Sequence, residues 1–144
     1  MNEVIIYTDG SCLGNPGKGG WAAVIIKNEK EEEIFGSEKE STNNRMELTA
    51  AINALASIKQ NNKIKIYTDS KYVKDGIEKW IHNWKLNNWK NANKINVKNK
   101  DLWIKLDILI NEKEVEWHWV KAHSINKYNN RVDFLARNAA SAND

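Results

Sequence analysis

The sequence predicts one α/β domain built on a partly antiparallel sheet, and three observations support this fold class. Short apolar, β-branched runs typical of strands alternate with longer stretches whose apolar residues recur every three or four positions, as in helices. The third strand-like run follows the second after only a few polar residues, Asn28, Glu29 and Lys30, a connection short enough for a hairpin. The chain has 144 residues, of which 41% are hydrophobic and 28% charged, a size and mixture that suit one domain with a full core.

The first half of the chain contains three strand patterns, one helix pattern and a fourth strand pattern. Val4–Thr8 is a continuous apolar and β-branched run, as expected of a central strand covered on both faces. A glycine-rich turn separates it from the strand Trp21–Lys27, whose hairpin partner is Glu32–Gly36. Asn44–Lys59 then shows an apolar stripe at helical spacing, and Ile64–Thr68 is the next strand. We expect the first three strands to form an antiparallel meander.

The second half continues with helices and one more strand. Helices are predicted over residues 71–88 and 100–111, followed by a strand at Glu114–Val120. A last helix is predicted at Asn129–Ala142, where the apolar residues share one face. Strands and helices mixed in this order predict a single α/β domain over residues 1–144.

Positive charge is unevenly distributed, although the net charge is only +3. Residues 71–105 hold nine Lys against three acids, whereas residues 28–47 hold seven Glu against two Lys and one Arg. The basic stretch also contains four Trp residues, so it could follow a phosphate backbone and lay aromatic faces against sugars or bases. The alternative is a solvated Lys-rich surface whose Trp residues lie in the core, and composition alone leaves both interpretations open.

A repeated pentapeptide draws attention to two aspartates. The segment IIYTDG at residues 5–10 returns in part as IYTDS at residues 66–70, so each strand runs straight into Asp9 or Asp69. The carboxyl ends of strands are where α/β enzymes place catalytic side chains, and two parallel neighbouring strands would bring these carboxylates together. Taken singly, Asp9 also suits a turn and Asp69 a helix N-cap, so it is the pair that favours a functional site.

Two further acids complete a candidate metal site. Glu47 lies near the start of its helix, where a capping box with Asn44 is an alternative explanation, and Asp133 lies near the start of the last helix, where the dipole favours an acid. Four carboxylates directed at one point repel one another unless cations lie between them. All-oxygen ligands suit a hard divalent ion such as Mg²⁺ or Mn²⁺. Two such ions about 4 Å apart would activate a water and stabilise the leaving oxygen in phosphodiester hydrolysis.

Targeting signals and cysteine content bear on the compartment. The chain has no run of about 18 uncharged apolar residues and no N-terminal basic stretch followed by an apolar segment. The only cysteine, Cys12, cannot form an internal disulfide, which fits a reducing compartment. The sequence therefore predicts a cytoplasmic protein without a membrane partner, and a monomer without an obligate protein partner.

Several short motifs occur in a characteristic order along nearly the whole chain. They are Tyr7–Ser11, Gly14–Gly17, Gly20–Trp21, Thr42–Leu48, Tyr67–Ser70, Trp80–Lys85, Trp89–Lys90, Asp101–Trp103, Trp119–His123 and Asp133. Together they resemble type 1 ribonuclease H of the bacterial kind. The resemblance implies a ribonuclease H-like fold, with a five-stranded mixed sheet of three antiparallel strands plus two parallel ones, flanked by helices. It also implies hydrolysis of the RNA strand of RNA/DNA hybrids, leaving 3′-hydroxyl and 5′-phosphate ends.

The resemblance assigns catalytic parts by position. The four carboxylates match the family's ligands for two Mg²⁺ ions, for which Mn²⁺ is a substitute: Asp9, Glu47, Asp69 and Asp133. His123 matches a histidine on a mobile loop that is thought to help product leave or to pass protons. Without the family, a lone histidine just past a strand is more often an ordinary surface residue.

Substrate contacts are implied in the same way. Telling RNA from DNA requires groups that hydrogen-bond a 2′-hydroxyl. The residues that match contacts to the RNA strand are Cys12, Gly14, Asn15, Asn43 and Glu47. On the DNA side, Thr42 and Asn99 match a phosphate-binding pocket, and Tyr72 and Trp80 match a channel that favours flexible deoxyribose. The Lys-rich segment at about 80–99 resembles the basic protrusion of bacterial members, so part of it is expected to bind the hybrid.

Three positions depart from the family pattern, and two other functions remain as alternatives. Ala122 replaces a usual glycine, Glu40 a frequent basic residue near the phosphate pocket, and Asn130 a common acid near Asp133.

A non-catalytic hybrid-binding module would keep the basic protrusion but could lose metal ligands, and all four carboxylates are present. Another phosphodiester enzyme on the same scaffold, such as an integrase-like protein, would normally lack the segment NRME together with the Trp-rich protrusion.

Overall fold

Five strands form one mixed sheet in the computed structural model, which describes residues 2–59, 62–121 and 126–142. The strands are β1 (Asn2–Cys12), β2 (Gly17–Lys27), β3 (Lys30–Ser41), β4 (Asn62–Thr68) and β5 (Glu114–Trp119). Their order across the sheet is β3-β2-β1-β4-β5, with β1, β2 and β3 antiparallel and with β4 parallel to both β1 and β5. The predicted fold class and its antiparallel meander are confirmed.

The helices occupy the predicted places but differ in detail. They are α1 (Asn43–Ala56), α2 (Lys71–Asp75), α3 (Ile81–Leu86), α4 (Lys100–Glu112) and α5 (Lys127–Ser141). The helical region predicted over residues 71–88 consists of α2 and α3, which are joined by a π-helical segment at Gly76–Trp80. That segment begins at a glycine whose place no larger residue could take, since a Cβ there would overlap the buried ring of Trp103. Within the described ranges, none of the helices has the length and apolar character needed to cross a membrane.

The sheet is covered on both faces, which explains why the central strands are apolar throughout. On one face, β1 and β4 share a fully buried cluster with α1 and α4, formed by Val4, Ile6, Leu48, Leu55, Ile64, Ile66, Trp103 and Leu106. On the other face, α5 brings Val132 against Tyr7 and Val24. The layers fix α1 and α5 on opposite sides of β1, with the carboxyl end of the parallel strands between them.

Helix α5 lies in direct backbone contact with β2 at Gly20. A Cβ at this position would overlap the carbonyl oxygen of Ala136 and the backbone nitrogen of Ala140. We expect Gly20→Ala to push α5 away from the sheet and to lower the free energy of unfolding by about 1–3 kcal/mol. Denaturant unfolding would measure the change, with Ser37→Ala on the exposed part of β3 as the control. An unfolding midpoint equal to that of the control would contradict the close approach.

Candidate active site

The repeated pentapeptide marks two neighbouring parallel strands. Ile6 pairs with Ile66 and Tyr7 with Tyr67, so the register between β1 and β4 is the same 60-residue offset that separates the two copies of the motif. The aspartate of each copy lies two residues beyond the last of these pairs. The two strands that carry the motif are therefore parallel neighbours, as the sequence interpretation required.

The two aspartates are nevertheless held differently. Asp9 was expected at the end of β1, but that strand continues to Cys12, because it still pairs with β2 where β4 has ended. Asp9 faces Ala22 across this antiparallel ladder and is only 4% exposed. Asp69 follows β4 and is half-buried. It is not the N-cap of the next helix, because Ser70 takes that place and accepts a hydrogen bond from the Val73 backbone N–H at 3.1 Å.

Glu47 reaches the site from the second turn of α1. Thr42 is the N-cap, and its Oγ1 accepts from the Arg45 backbone N–H at 3.2 Å, so the capping-box explanation with Asn44 is wrong. The helix packs directly onto β1, where a Cβ at Gly10 would overlap the Glu47 backbone nitrogen. This contact carries the Glu47 carboxyl beneath the strand, where the Gly10 backbone N–H donates to it. The side chain is 5% exposed, and its Oε1 has no hydrogen-bond partner.

Three of the four predicted carboxylates form a tight cluster. One oxygen from each of Asp9, Glu47 and Asp69 lies within 4.8 Å of the others. Asp133 lines the same pocket and is one of the groups that raise the pKa of Asp9, while an ion pair of 2.8 Å joins it to Arg137. The pocket also contains Ser11, Asn43, Asn129 and Asn130.

The position of Asp133 within α5 differs from the sequence interpretation. Asn126 is the N-cap of that helix, and its Oδ1 accepts from the backbone N–H groups of Tyr128 and Asn129. Asp133 therefore lies two turns inside the helix. The macrodipole acts only within the first turn, so it does not explain an acid there.

Burial and mutual repulsion make the cluster costly to ionise. Burial, followed by the charges of Asp69 and Asp133, raises the pKa of Asp9 to about 8 from a usual 3.8. Burial, followed by the charges of Asp9 and Asp69, raises the pKa of Glu47 well above its usual value. A divalent cation bound among these oxygens would offset the cost of burial and the mutual repulsion of the charges. It would also give the unpartnered Oε1 of Glu47 a ligand bond. The residues present thus fit a hard divalent metal ion.

The residues predicted on the DNA side are linked through Arg45. Its backbone N–H donates to Thr42 and its guanidinium donates to Asn99 Oδ1 at 3.2 Å. Asn99 in turn donates from Nδ2 to the Tyr72 hydroxyl at 3.1 Å, and the Tyr72 and Trp80 rings meet edge to face with centroids 5.8 Å apart. The structure therefore brings all four predicted residues into one network.

Two members of this network had no assigned role in the sequence analysis. Arg45 holds Asp101 through two hydrogen bonds, of 3.0 and 2.8 Å. The pair lowers the pKa of Asp101, chiefly through this hydrogen bonding. Both residues lie in the motifs TNNRMEL and DLW, but their 56-residue separation gives no local signal that they meet. The pair fixes the start of α1 relative to the start of α4.

The residues predicted on the RNA side gather around the glycine-rich turn. Asn15 Oδ1 accepts from the backbone N–H of Asn43 at 3.1 Å, which fastens the turn to the first residue of α1. Gly14 has a φ of +129°, a backbone conformation that residues other than glycine rarely adopt. Cys12 Sγ donates weakly to the carbonyl oxygens of Gly17 and Ser41, each at 3.3 Å.

The remaining predictions fall on the Trp-rich segment and on the residues before α5. Trp103 is fully buried and Trp84 packs against the core, so the core interpretation holds for these two. Lys85 contacts Asp107 at 3.3 Å. His123, like its neighbour Ala122, lies outside the described residues, and its role stays a prediction.

Comparison with known proteins identifies the family. The family model described as RNase H matches residues 1–141. This chain belongs to the ribonuclease H family. Ribonuclease H of Wolbachia pipientis wMel is 56% identical over 137 residues, covering 95% of this chain and 94% of the relative. Ribonuclease H of Francisella tularensis subsp. novicida strain U112 is 56% identical over 138 residues, covering 96% and 91%.

Solved ribonuclease H structures share the fold. LC9-RNase H1, described as a type 1 RNase H with the type 2 active-site motif, superposes with a TM-score of 0.87 at 30% identity, covering 98% of this chain and 73% of that one. LC11-RNase H1, solved in complex with an RNA/DNA hybrid, has a TM-score of 0.73 at 22% identity, covering 96% and 97%. At that identity the second likeness concerns the fold alone.

Proposed function

We propose that this ribonuclease H cuts the RNA strand of RNA/DNA hybrids internally and leaves 3′-hydroxyl and 5′-phosphate ends. The observation that carries the proposal is the buried cluster of Asp9, Glu47 and Asp69, whose oxygens lie within 4.8 Å of one another. Three acids have no structural reason to share a pocket in which burial raises the pKa of two of them. The family membership supports the reaction and the substrate class, and LC11-RNase H1, which shares the fold, was solved in complex with an RNA/DNA hybrid.

We propose Mg²⁺ as the cofactor, with Mn²⁺ as a substitute and two ions in the substrate complex. Asp9, Glu47 and Asp69 would hold one ion, and Asp9 with Asp133 the other. Two ions held by these residues would supply an activated water and would stabilise the departing 3′-oxygen. The carboxylates themselves are held by rigid elements, Asp9 by β1 and Glu47 by α1, so the geometry is fixed before substrate binds.

The network around Arg45 supports the proposed DNA-strand contacts. Thr42 and Asn99 would bind a phosphate there, because Arg45 holds both in place, its backbone N–H donating to Thr42 and its guanidinium to Asn99. Tyr72, whose hydroxyl also accepts from Trp103 Nε1 at 2.9 Å, is held rigidly beside Trp80 to receive a deoxyribose.

We propose that the RNA strand lies across the glycine-rich turn, which is tied to α1. Cys12, Gly14, Asn15 and Asn43 surround the approach to the carboxylates, where backbone and amide groups can reach a 2′-hydroxyl. His123 would act at product release or proton transfer.

We further propose that residues 1–144 act as one catalytic domain with a basic protrusion at about 80–99. Its shared core on both faces of one sheet supports this organisation. The cytoplasmic location and the monomeric state stay predictions of the sequence.

The decisive experiment is a cleavage assay with an end-labelled RNA/DNA hybrid in Mg²⁺. Single-stranded RNA, RNA duplex and DNA duplex serve as alternative substrates, and EDTA as the metal-free control. Metal-dependent cutting of only the hybrid's RNA strand is the expected result. Tight hybrid binding without cutting in either Mg²⁺ or Mn²⁺ would instead assign a non-catalytic hybrid-binding module.

The protrusion offers a separate prediction about binding. Lys90, Lys94 and Lys98 are exposed, and we expect them to meet the phosphate backbone. Replacing all three with Gln should weaken hybrid binding and reduce the slope of log K against log salt by about two units, while kcat at saturation stays unchanged. Fluorescence anisotropy across a salt series measures the slope. Lys59→Gln, an exposed lysine beyond the end of α1, is the control, and a slope like that of the control would exclude phosphate contacts.

A further inference from the structure

An exposed tryptophan lies at the catalytic end of the sheet, on the side not used by the proposed contacts. Trp119 is 49% exposed and ends β5, where it pairs in register with Thr68 of β4. The backbone N–H of Val120 donates to the Thr68 carbonyl at 2.9 Å, which keeps the two strand ends side by side. Asp69 follows Thr68 directly, so the end of β5 at Trp119 lies next to the strand end that leads into the carboxylate cluster.

A lysine lies above this tryptophan. Lys74 Nζ is 5.8 Å from the ring centroid of Trp119 and also forms an ion pair of 3.3 Å with Glu78. Trp119, Lys74 and Glu78 line a shallow cleft together with Thr68, Ile77 and Trp117. The indole is therefore held in place on one side while about half of its surface remains open to solvent.

Two more lysines flank the same edge. Lys71 is exposed and begins α2 two residues after Asp69, and Lys121 is exposed two residues after Trp119. The carboxyl ends of β4 and β5 are adjacent, so the segments that carry Lys71 and Lys121 begin next to each other at the same edge of the sheet. An aromatic surface flanked by lysines is the combination that binds a nucleic-acid strand through stacking and phosphate contacts.

Helix α2 separates this surface from the proposed DNA-strand channel. Tyr72 contacts Asn99 and Trp103, whereas Lys74 contacts Trp119. Residues two apart in an α-helix point in nearly opposite directions, so the two surfaces lie on opposite sides of α2. A strand whose phosphate reaches Asp69, which is the strand to be cut, would therefore pass nearer to Trp119 than a strand in the proposed DNA channel.

We infer that Trp119, with Lys71, Lys74 and Lys121, forms a further substrate contact that binds the RNA strand beside the cleavage point. The inference rests on the proposed function, because that function places the RNA phosphate at Asp69. Trp119 stacks against a sugar or base of that strand, and the lysines face the adjoining phosphates. It is a substrate-positioning surface and takes no part in the chemical step.

The test measures hybrid binding by anisotropy in an Asp9→Asn background, so that the substrate stays intact. Trp119→Ala is expected to raise the Kd about fivefold or more, and Trp119→Phe, which keeps an aromatic face, to raise it less. Ile108→Ala, which truncates another exposed apolar side chain on the outer side of α4, is the matched control. Lys71→Gln with Lys121→Gln should reduce the salt slope by about 1.5 units.

Hybrids in which either the RNA or the DNA strand carries a single-stranded extension show which of the two strands contacts Trp119. An RNA extension should bind more tightly than a DNA extension, and Trp119→Ala should remove that difference. A Kd for Trp119→Ala equal to that of Ile108→Ala would overturn the inference, and a loss confined to the DNA extension would overturn the choice of strand. If Trp119→Ala fails to fold, as judged by its thermal unfolding, the Phe and double Gln variants decide.

Failure of this inference is distinguishable from failure of the proposed function. The proposed function fails if the unsubstituted protein does not cut the hybrid in Mg²⁺. The inference fails if that protein cuts the hybrid normally and the Trp119 and lysine variants bind it as the control does.

Discussion

Asp9→Asn is expected to remove almost all cleavage of RNA/DNA hybrids while leaving the fold and hybrid binding intact. The amide keeps the shape and buried position of the side chain but removes the charge that lies among Glu47, Asp69 and Asp133. Removing a group that merely supports a metal ligand already costs roughly 10–100-fold. Loss of a central ligand should therefore lower kcat by more than about a hundredfold. Single-turnover cleavage at saturating enzyme measures this step without a contribution from binding.

The matched control is the same chemical change at another acid. Asp107 lies in α4, paired with Lys85 at 3.3 Å, and is not among the residues that line the catalytic pocket. Asp107→Asn should cut at close to the unsubstituted rate. The Kd of Asp9→Asn for the hybrid should stay within about threefold of the control, because metal ligation contributes to chemistry more than to docking. Retention of a tenth or more of the activity by Asp9→Asn would refute the central role of this carboxylate.

Parallel pairing and the aspartate pair could be predicted because the information is local. Two copies of one apolar run, each ending in an aspartate, indicate two central strands and a shared edge, and the register between Tyr7 and Tyr67 confirms that interpretation. The sequence does not reveal that Asp9 lies inside its strand. Gly10 and the residues after it resemble a turn, yet β2 offers a second ladder that extends β1 to Cys12.

The start of α1 shows how degenerate local signals are resolved by distant contacts. Thr42, Asn43 and Asn44 are all good N-cap residues, so the sequence permits several helix starts. The backbone N–H of Asn43 is bonded to Asn15, across the glycine-rich turn, and this leaves Thr42 as the cap. The same shift moves Glu47 from the first turn to the second.

Some contacts between residues far apart in the sequence could not be predicted. Arg45 and Asp101 meet only because α1 and α4 pack together. The rings of Tyr7, Tyr67 and His118 stack across three strands with centroid separations of 4.7 Å, as registers between the strands dictate. The repeated motif indicates the register of β1 against β4, but no such repeat marks β5, so the place of His118 in the stack is visible only in the assembled sheet.

The metal-free protein is expected to lose stability as the pH rises from about 4 to about 8. The folded state raises the pKa of Asp9 from 3.8 to about 8, and that of Glu47 in the same direction. Between these limits the folded protein retains protons that the unfolded chain has released. The free energy of unfolding therefore falls as the pH rises through this range. Below the unfolded pKa both states are protonated, and the contribution of Asp9 is constant.

Thermal unfolding in EDTA at pH 5 and pH 8.5 tests this expectation. The Tm should be lower at pH 8.5 by on the order of 10 °C, and Asp9→Asn should raise the Tm at pH 8.5 and flatten the profile. Glu38→Gln, at an exposed position of β3, should leave the profile unchanged. Mg²⁺ should restore stability mainly at pH 8.5, because a cation that binds ionised carboxylates only in the folded state replaces the missing protons. A flat profile shared by Asp9→Asn and the unsubstituted protein would mean that the carboxylates are solvated and lack the mutual repulsion from which a metal site was inferred.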